Sequence, residues 1–244
     1  MGSARLPGKV LKKVLGKTML EHQVERVKRA KTIDQIIFAT TTNFEDKKIV
    51  QLGRKLRVKV FVGSETDVLD RYYQAAKRFD VNDTIVRLTG DCPLMDPRVV
   101  DKVVSFYLKN KKSCQYASNV APPTFPDGMD VEVFPFSALE EAWREADLPS
   151  EREHVTSYIR NHPKKFKIKN LKNKKDLSRY RLTLDNKEDF ILIKKIFDSL
   201  YLKNKNLSLA DIIKFLKKNP ELALINSHIR RNEGLLKSLP PHLI

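Results

Sequence analysis

The sequence has few cysteines and no long apolar run, and both shortages narrow the class of protein. Only two cysteines, Cys92 and Cys114, occur in 244 residues, and neither belongs to a C-x-x-C pair. We therefore expect no zinc site, no disulfide framework and a reduced, cytoplasmic setting. No apolar stretch approaches the roughly 18 residues of a membrane-spanning helix, and we expect no secretory signal because the N-terminal residues are not apolar.

Acidic residues are also scarce relative to basic ones. The chain has 47 Lys and Arg against 30 Asp and Glu, a formal net charge of +17. Such a charge suits a nucleic-acid or other anionic partner, but it also suits a lysine-rich solvated surface. The densest basic segment, residues 164–175, contains Phe166 as its one aromatic residue, and no recognition module accompanies it. Specific nucleic-acid binding is therefore not expected.

Glycine is scarce as well, with eight in the whole chain, yet two of them fall within the first eight residues. Residues 2–9 read Gly-Ser-Ala-Arg-Leu-Pro-Gly-Lys. Glycines let backbone N–H groups approach an anion closely, and Arg5 and Lys9 add positive charge. The segment therefore predicts a phosphate-binding loop, of the kind that follows a strand.

Apolar patterns predict alternating strands and helices in the first half of the chain. Strands are predicted at 36–40, 58–62 and 84–89, and helices at 19–30, 44–56, 67–79 and 96–109. This alternation is typical of an α/β fold with a mostly parallel, doubly wound sheet. The later patterns predict strands at 115–119, 130–134, 167–171 and 180–184, and helices at 137–146, 151–161, 187–201 and twice within 208–237. We expect one domain over 1–202 and a helical C-terminal extension over 203–244 that packs on it.

Two aspartates directly follow predicted strands. Asp91 comes after the apolar run 85–88, and Asp185 comes after 180–184. Ligands of open parallel sheets bind at the carboxyl ends of strands, and Mg²⁺ prefers one or two carboxylates together with phosphate oxygens. The pair therefore predicts a metal–nucleotide site. The alternatives are a turn for Asp91 and a helix N-cap for Asp185, with Glu188 three residues later.

Two further segments carry polar side chains that suit a small substrate. Asp130 closes a Pro-rich loop over 121–128, where it could bind a substrate hydroxyl or simply end a turn. Residues 151–154 read Glu-Arg-Glu-His and open a predicted helix. His154 has no second His four residues later, so a solvated helix start favoured by the helix dipole competes with a metal site.

Taken together, the motifs resemble the cytidylyltransferase family of the spore-coat polysaccharide type, related to acylneuraminate and 3-deoxy-octulosonate cytidylyltransferases. The resemblance is carried by the segments 2–9, 89–94 (Thr-Gly-Asp-Cys-Pro-Leu), 127–133 (Asp-Gly-Met-Asp-Val-Glu-Val), 151–156 (Glu-Arg-Glu-His-Val-Thr) and 182–190 (Leu-Thr-Leu-Asp-Asn-Lys-Glu-Asp-Phe). Residues 226–234 resemble the C-terminal extension of the spore-coat type in particular.

The resemblance implies a Rossmann-like nucleotidyltransferase fold and a Mg²⁺-dependent reaction in the cytoplasm. A sugar hydroxyl would attack the α-phosphate of CTP and give a CMP-sugar and pyrophosphate for surface polysaccharide biosynthesis. A homodimer is expected because relatives commonly dimerise. By match to the motifs, the nucleotide would be bound by Gly2, Ser3, Arg5, Lys9, Thr89 and Gly90. The catalytic residues would be Arg5, Lys9 and Asp91, and Mg²⁺ would be held by Asp91 and Asp185. The residues facing the sugar would be Asp130, Glu151, Arg152 and His154.

One departure from the family pattern concerns the first strand. Family members carry a β-strand and an Ala-Arg pair immediately before the Met-Gly-Ser of the loop, and here Met1 occupies the position of that Met. We hypothesise from this comparison a truncated sequence or a misassigned start, and expect a gap in the sheet and weak CTP binding.

Three alternatives belong to other functional classes. A nucleotide-sugar-dependent glycosyltransferase shares a related fold, but its usual Asp-x-Asp is replaced here by Gly90-Asp91-Cys92. A non-catalytic nucleotide-binding subunit is favoured by the absent strand. A nucleic-acid-binding protein is favoured by charge alone.

Overall fold

The structure, a computed structural model, describes residues 5–231 and 233. Its strands are β1 (Lys13–Val14), β2 (Lys17–Thr18), β3 (Ile37–Thr41), β4 (Lys59–Gly63), β5 (Thr84–Arg87), β6 (Tyr116–Ser118), β7 (Glu132–Pro135) and β8 (Ile168–Asn170). Its α-helices are α1 (Met19–Val27), α2 (Lys47–Lys55), α3 (Val68–Arg78), α4 (Pro97–Asn110), α5 (Phe136–Glu145), α6 (Pro149–Glu153), α7 (Ser157–Asn161), α8 (Lys187–Ile196), α9 (Leu209–Lys218) and α10 (Pro220–Leu224).

The strands form small sheets of mixed direction. β1 and β2 are an antiparallel pair, and β3 pairs in parallel with β4, with Ile37 opposite Lys59. The largest sheet has the order β5-β7-β6-β8, in which β7 is antiparallel to both neighbours and β6 is parallel to β8. The predicted α/β class is confirmed, but a mostly parallel sheet is wrong for the described residues. β7 follows β6 through a single loop and returns beside it, which makes the pair antiparallel.

A cavity separates the two larger sheets. Among the described strands, β3 pairs with β4 alone and β5 with β7 alone, so each has an edge facing the other sheet. The space between these edges holds a cavity of about 520 Å³, lined by Phe38 and Ala39 of β3, by Ile85 and Val86 of β5, and by residues of α1, α3 and α4. The two sheets are not paired to each other within the described residues, and the missing first strand stays a prediction.

The main apolar core joins the C-terminal helices to the rest of the fold. Val100 and Val103 of α4 are fully buried with Val133 of β7, and Ile212 and Leu216 of α9 belong to the same cluster. Burial of each such side chain contributes about 1.5–3 kcal/mol. The boundary at 202/203 stays a prediction. Within residues 5–231, no helix combines the length and the apolar character that a membrane crossing requires.

Three predicted elements differ from the structure near the site. Residues 180–184 form no strand; Arg181 makes one isolated bridge with Asp127, because the backbone there bonds to a loop. The helix predicted over 151–161 is split into α6 and α7, because Val155 adopts a φ of 41° that a helix cannot contain. α10 ends at Leu224, well before residue 237, and residues 232 and 234–237 of that prediction lie outside the described residues.

Candidate active site

Lys9 joins the two aspartates that follow the predicted strands. Gly8 has a φ of 64° and begins a short 3₁₀ turn over Lys9–Leu11, and Leu6 is buried beside it. This turn directs the half-buried Lys9 inward, where its Nζ lies 2.7 Å from Asp91 Oδ2 and 2.7 Å from Asp185 Oδ1. One ammonium group therefore neutralises part of the charge of both carboxylates.

Backbone hydrogen bonds bring the two aspartates to the same place. The Leu184 N–H donates to the Asp91 carbonyl oxygen at 2.9 Å, and the Thr183 hydroxyl donates to the same oxygen at 3.3 Å. Asp185 follows directly, so its carboxylate lies beside that of Asp91. The N-cap of α8 is Asn186, in a capping box with Asp189. The alternative prediction, in which Asp185 is the N-cap and Glu188 its partner, is therefore wrong, because the capping pair begins one residue later.

Electrostatics keep Lys9 and Asp91 charged. Burial disfavours the ammonium of Lys9, but Asp91 and Asp185 outweigh burial and raise its pKa above the ordinary value. Burial likewise disfavours the Asp91 carboxylate, but Lys9 outweighs it and lowers the pKa of Asp91. The pair is therefore a full ion pair over a broad range of pH.

The two carboxylates could hold a magnesium ion. Both lie 2.7 Å from the same ammonium nitrogen, and Mg²⁺ typically takes one or two carboxylates with phosphate oxygens and water. The described residues contain no group of three or more metal-ligating side chains, so the remaining ligands would have to come from elsewhere. Asp91 and Asp185 are thus the residues that could hold the ion.

Arg5 lies next to this pair of aspartates. One Nη of its guanidinium is 3.6 Å from Asp185 Oδ1, and the other donates to the Glu233 carboxylate. Gly2 and Ser3, the other predicted residues of the loop, lie outside the described residues. Thr89 and Gly90 lie between β5 and Asp91, where the Thr89 carbonyl accepts from Gln23 Nε2 at 2.7 Å. Their nucleotide-binding role stays a prediction.

Arg181 is a charged residue of the site that sequence reasoning missed. Its side chain is 6% exposed and contacts three carboxylates: Asp127 at 2.6 Å, Asp185 at 2.8 Å and Asp189 at 2.9 Å. The signal available in the sequence was the position of Arg181 inside the largely apolar pattern of 180–184. An arginine in a buried segment needs partners of opposite charge, so this position indicated nearby carboxylates.

Asp130 is paired with the C-terminal segment. The Arg231 guanidinium donates to the Asp130 carboxylate and, through Nη1, to the Phe125 carbonyl oxygen at 3.0 Å. Burial raises the pKa of Asp130 to about 7, against the opposing effect of Arg231. Gly128 fixes this loop, because a Cβ there would lie 2.6 Å from the backbone of residues 182 and 183. Because of its burial, the Asp130 carboxyl group changes its charge near neutral pH.

The segment 151–154 has contacts of its own. Arg152 Nε donates to Asp67 Oδ2 at 2.9 Å and its Nη1 to the Trp143 carbonyl oxygen at 2.7 Å. Glu151 is buried and accepts from Asn161 Nδ2 at 3.2 Å. His154 is half-buried, and burial lowers its pKa. These contacts do not bring the segment to Lys9, so its sugar-binding role stays a prediction.

Comparison with known proteins gives a consistent picture. A family model described as cytidylyltransferase matches residues 1–226. The spore coat polysaccharide biosynthesis protein SpsF of Bacillus subtilis is 33% identical over 230 residues, 91% of this chain and 93% of that protein. A cytidylyltransferase structure from Leptospira borgpetersenii is 38% identical, with a TM-score of 0.88 and 95% of each chain covered. A structure of CMP:2-keto-3-deoxy-manno-octonic acid synthetase complexed with CTP shares the fold, at 16% identity and a TM-score of 0.60 over 81% of this chain and 94% of that one.

Proposed function

Because the chain belongs to the cytidylyltransferase family, we propose that it forms a CMP-activated sugar and pyrophosphate from CTP and an acidic or modified sugar. The observation that carries this proposal is the convergence of Lys9, Asp91 and Asp185 at the ends of the predicted phosphate-binding loop and two strand-like segments. Similarity to a spore-coat polysaccharide protein and to a synthetase bound to CTP supports the choice of sugar class and nucleotide.

The proposed reaction is a single displacement at phosphorus. The sugar hydroxyl oxygen bonds to the α-phosphorus of CTP, the bond from that phosphorus to the α–β bridging oxygen breaks, and pyrophosphate leaves. Arg5 and Lys9 bind the triphosphate oxygens and hold the α-phosphate in line with the hydroxyl. Mg²⁺, when bound by Asp91 and Asp185, supplies further neutralisation of the phosphate charge.

The hydroxyl proton needs an acceptor, and Asp130 suits this role. Its carboxyl group has a pKa of about 7, which lets it take up a proton at neutral pH. Arg231 holds the carboxylate in place through its own contact with the Phe125 carbonyl. We propose that Glu151, Arg152 and His154 also face the bound sugar. The proposal further includes a homodimer, a cytoplasmic setting and a nucleotidyltransferase domain over residues 1–202.

Pyrophosphate release tests the proposal. The purified chain is incubated with Mg²⁺, one of the four ribonucleoside triphosphates and a panel of neutral and acidic sugars. We expect release with CTP and an acidic or modified sugar, and none without the sugar. Equal release with all four triphosphates would contradict the choice of CTP.

Two other results would point to the remaining function classes. Binding of CTP without turnover on any sugar would favour a non-catalytic nucleotide-binding subunit. Sugar transfer from a preformed nucleotide-sugar to an acceptor would favour a glycosyltransferase.

A further inference from the structure

Besides Arg231 and Glu233, the C-terminal extension contacts the site through a buried amide. Asn226 follows α10, and only 1% of its surface is exposed. Its Nδ2 donates to Asp189 Oδ1 at 2.8 Å and to the Arg181 carbonyl oxygen at 3.2 Å. The amide therefore bonds to both members of a buried ion pair that belongs to the nucleotidyltransferase domain.

That ion pair controls the orientation of Arg181. Asp189 is fully buried, and its Oδ1 accepts from Arg181 Nε at 2.9 Å while its Oδ2 accepts from Arg181 Nη2 at 3.1 Å. Such a two-point contact fixes the plane of the guanidinium as well as its position. Asp189 Oδ2 also accepts from the Asp185 N–H at 2.8 Å, which ties the backbone of the proposed metal ligand to the same carboxylate.

Arg181 in turn determines where the Asp185 carboxylate points. Its Nη2 donates to Asp185 Oδ2 at 2.8 Å, while Lys9 contacts the other oxygen, Oδ1. Oδ1 is therefore the oxygen that shares the Lys9 ammonium with Asp91, and it is the one that the proposed metal would use. Without Arg181 in its plane, the carboxylate could rotate about its last side-chain bond and lose this direction.

We propose that Asn226 is a positioning residue, which orients the Asp185 carboxylate through Asp189 and Arg181 and so makes the C-terminal extension part of the active site. The inference rests on the proposed function insofar as Asp185 holds a divalent cation. Partners that orient metal ligands are worth roughly 10–100-fold in metal affinity or activity when they are removed. Asn226 is three contacts away from the Asp185 carboxylate, so the lower end of this range is expected.

The test uses Asn226→Ala and Asn226→Asp in the full chain. The first removes the amide, and the second keeps the side-chain volume but replaces the donor with a carboxylate beside Asp189. Asn219→Ala is the matched control, since Asn219 lies in the same extension, directly after α9, and its Nδ2 donates at 2.8 Å to the carbonyl oxygen of Phe215 in that helix. Circular dichroism and the melting temperature report folding.

Two readouts separate positioning from a merely structural role. The first is Mn²⁺ affinity of the protein without nucleotide, measured from the free-ion signal in electron paramagnetic resonance. The second is the Mg²⁺ concentration that gives half-maximal pyrophosphate release. In folded Asn226 variants we expect Mn²⁺ affinity to fall about tenfold and the half-maximal Mg²⁺ concentration to rise about tenfold. We expect both quantities to be unchanged in Asn219→Ala.

Several outcomes would overturn the inference. Mn²⁺ affinity equal to that of the unaltered chain in either folded Asn226 variant would do so, as would an equal loss in Asn219→Ala. Failure of both Asn226 variants to fold would show a structural role instead. A chain that releases no pyrophosphate with any triphosphate would refute the proposed function, while the Mn²⁺ comparison would still decide the role of Asn226.

Discussion

Lys9 and Asp185 are 176 positions apart in the sequence, yet Lys9 Nζ lies 2.7 Å from Asp185 Oδ1. The same Nζ is 2.7 Å from Asp91 Oδ2, so a single ammonium group holds the two carboxylates together. Lys9 therefore keeps Asp91 and Asp185 close together, as the proposed metal site requires.

Replacement of Asp91 tests the proposed metal site. We expect Asp91→Asn to lower Mg²⁺-dependent pyrophosphate release by at least about a hundredfold, because an amide oxygen lacks the charge that the carboxylate supplies. The melting temperature should change little, since the amide still accepts from Lys9. Asp147→Asn, at an exposed position, is the control and should keep full activity. Near-normal turnover in Asp91→Asn would remove Asp91 from the metal role.

Replacement of Lys9 tests triphosphate binding. We expect Lys9→Met to weaken CTP binding by roughly 10–100-fold, because a charge-assisted hydrogen bond contributes about 1.5–3 kcal/mol. Isothermal titration calorimetry with CTP and Mg²⁺ measures the change. Lys13→Met is the control, because Lys13 is exposed in β1. Equal CTP affinity in the two variants would show that Lys9 only bridges the aspartates.

The pKa of Asp130 predicts how activity depends on pH. Since that pKa is about 7, kcat should rise with pH, reach half of its maximum near pH 7 and level off about one pH unit higher if the carboxylate takes the hydroxyl proton. Arg231 lowers this pKa, so Arg231→Gln should shift the rise to higher pH. A profile that does not move in Arg231→Gln would contradict the role of Asp130.

The same group also predicts a pH dependence of stability. Its pKa in the folded chain is raised from 3.8 to about 7, so the folded state binds the proton more tightly than the unfolded state does. The contribution of Asp130 to the free energy of unfolding is therefore present at low pH and lost as the pH rises from about 4 to about 7. Urea unfolding at a series of pH values measures the free energy of unfolding, and Asp130→Asn should lack this decline. An identical pH dependence in the variant and the unaltered chain would contradict the raised pKa of Asp130.

Gly128 allows a matched comparison with Gly16. Both have a positive φ, 92° and 78°, but a Cβ at Gly128 would lie 2.6 Å from backbone atoms while one at Gly16 would meet nothing within 4 Å. Gly16→Ala should therefore lose about 1–2 kcal/mol from left-handed strain alone, and Gly128→Ala should lose more and also reduce activity. Thermal unfolding measures both. Equal losses would show that the contact with residues 182 and 183 is not tight.

Part of the candidate site could be predicted because its signals are local. Gly8 and Lys9 stand in one short loop, and Asp91 follows an apolar run that folds as β5 and its continuation. Arg181 had only a weak signal, an arginine within an apolar pattern, and Asn226 had none, because an arginine in a strand pattern and an asparagine after a helix are common on solvated surfaces. The roles of Arg181 and Asn226 depend on their contacts with Asp189. Asp189 lies in the first turn of α8, where helix capping alone would account for an aspartate.

The α/β class, the helices α1 to α4, the strands β3 to β5 and the family motifs can be predicted from the sequence alone, because apolar periodicity and capping residues act over only a few positions. The packed molecule is needed to show that β7 runs antiparallel between β5 and β6, that residues 180–184 pair with a loop, and that Lys9 and Arg181 contact opposite oxygens of Asp185. These relations join residues that are far apart in the chain, and long-range pairing is set by which buried charges and strand edges meet in the packed molecule.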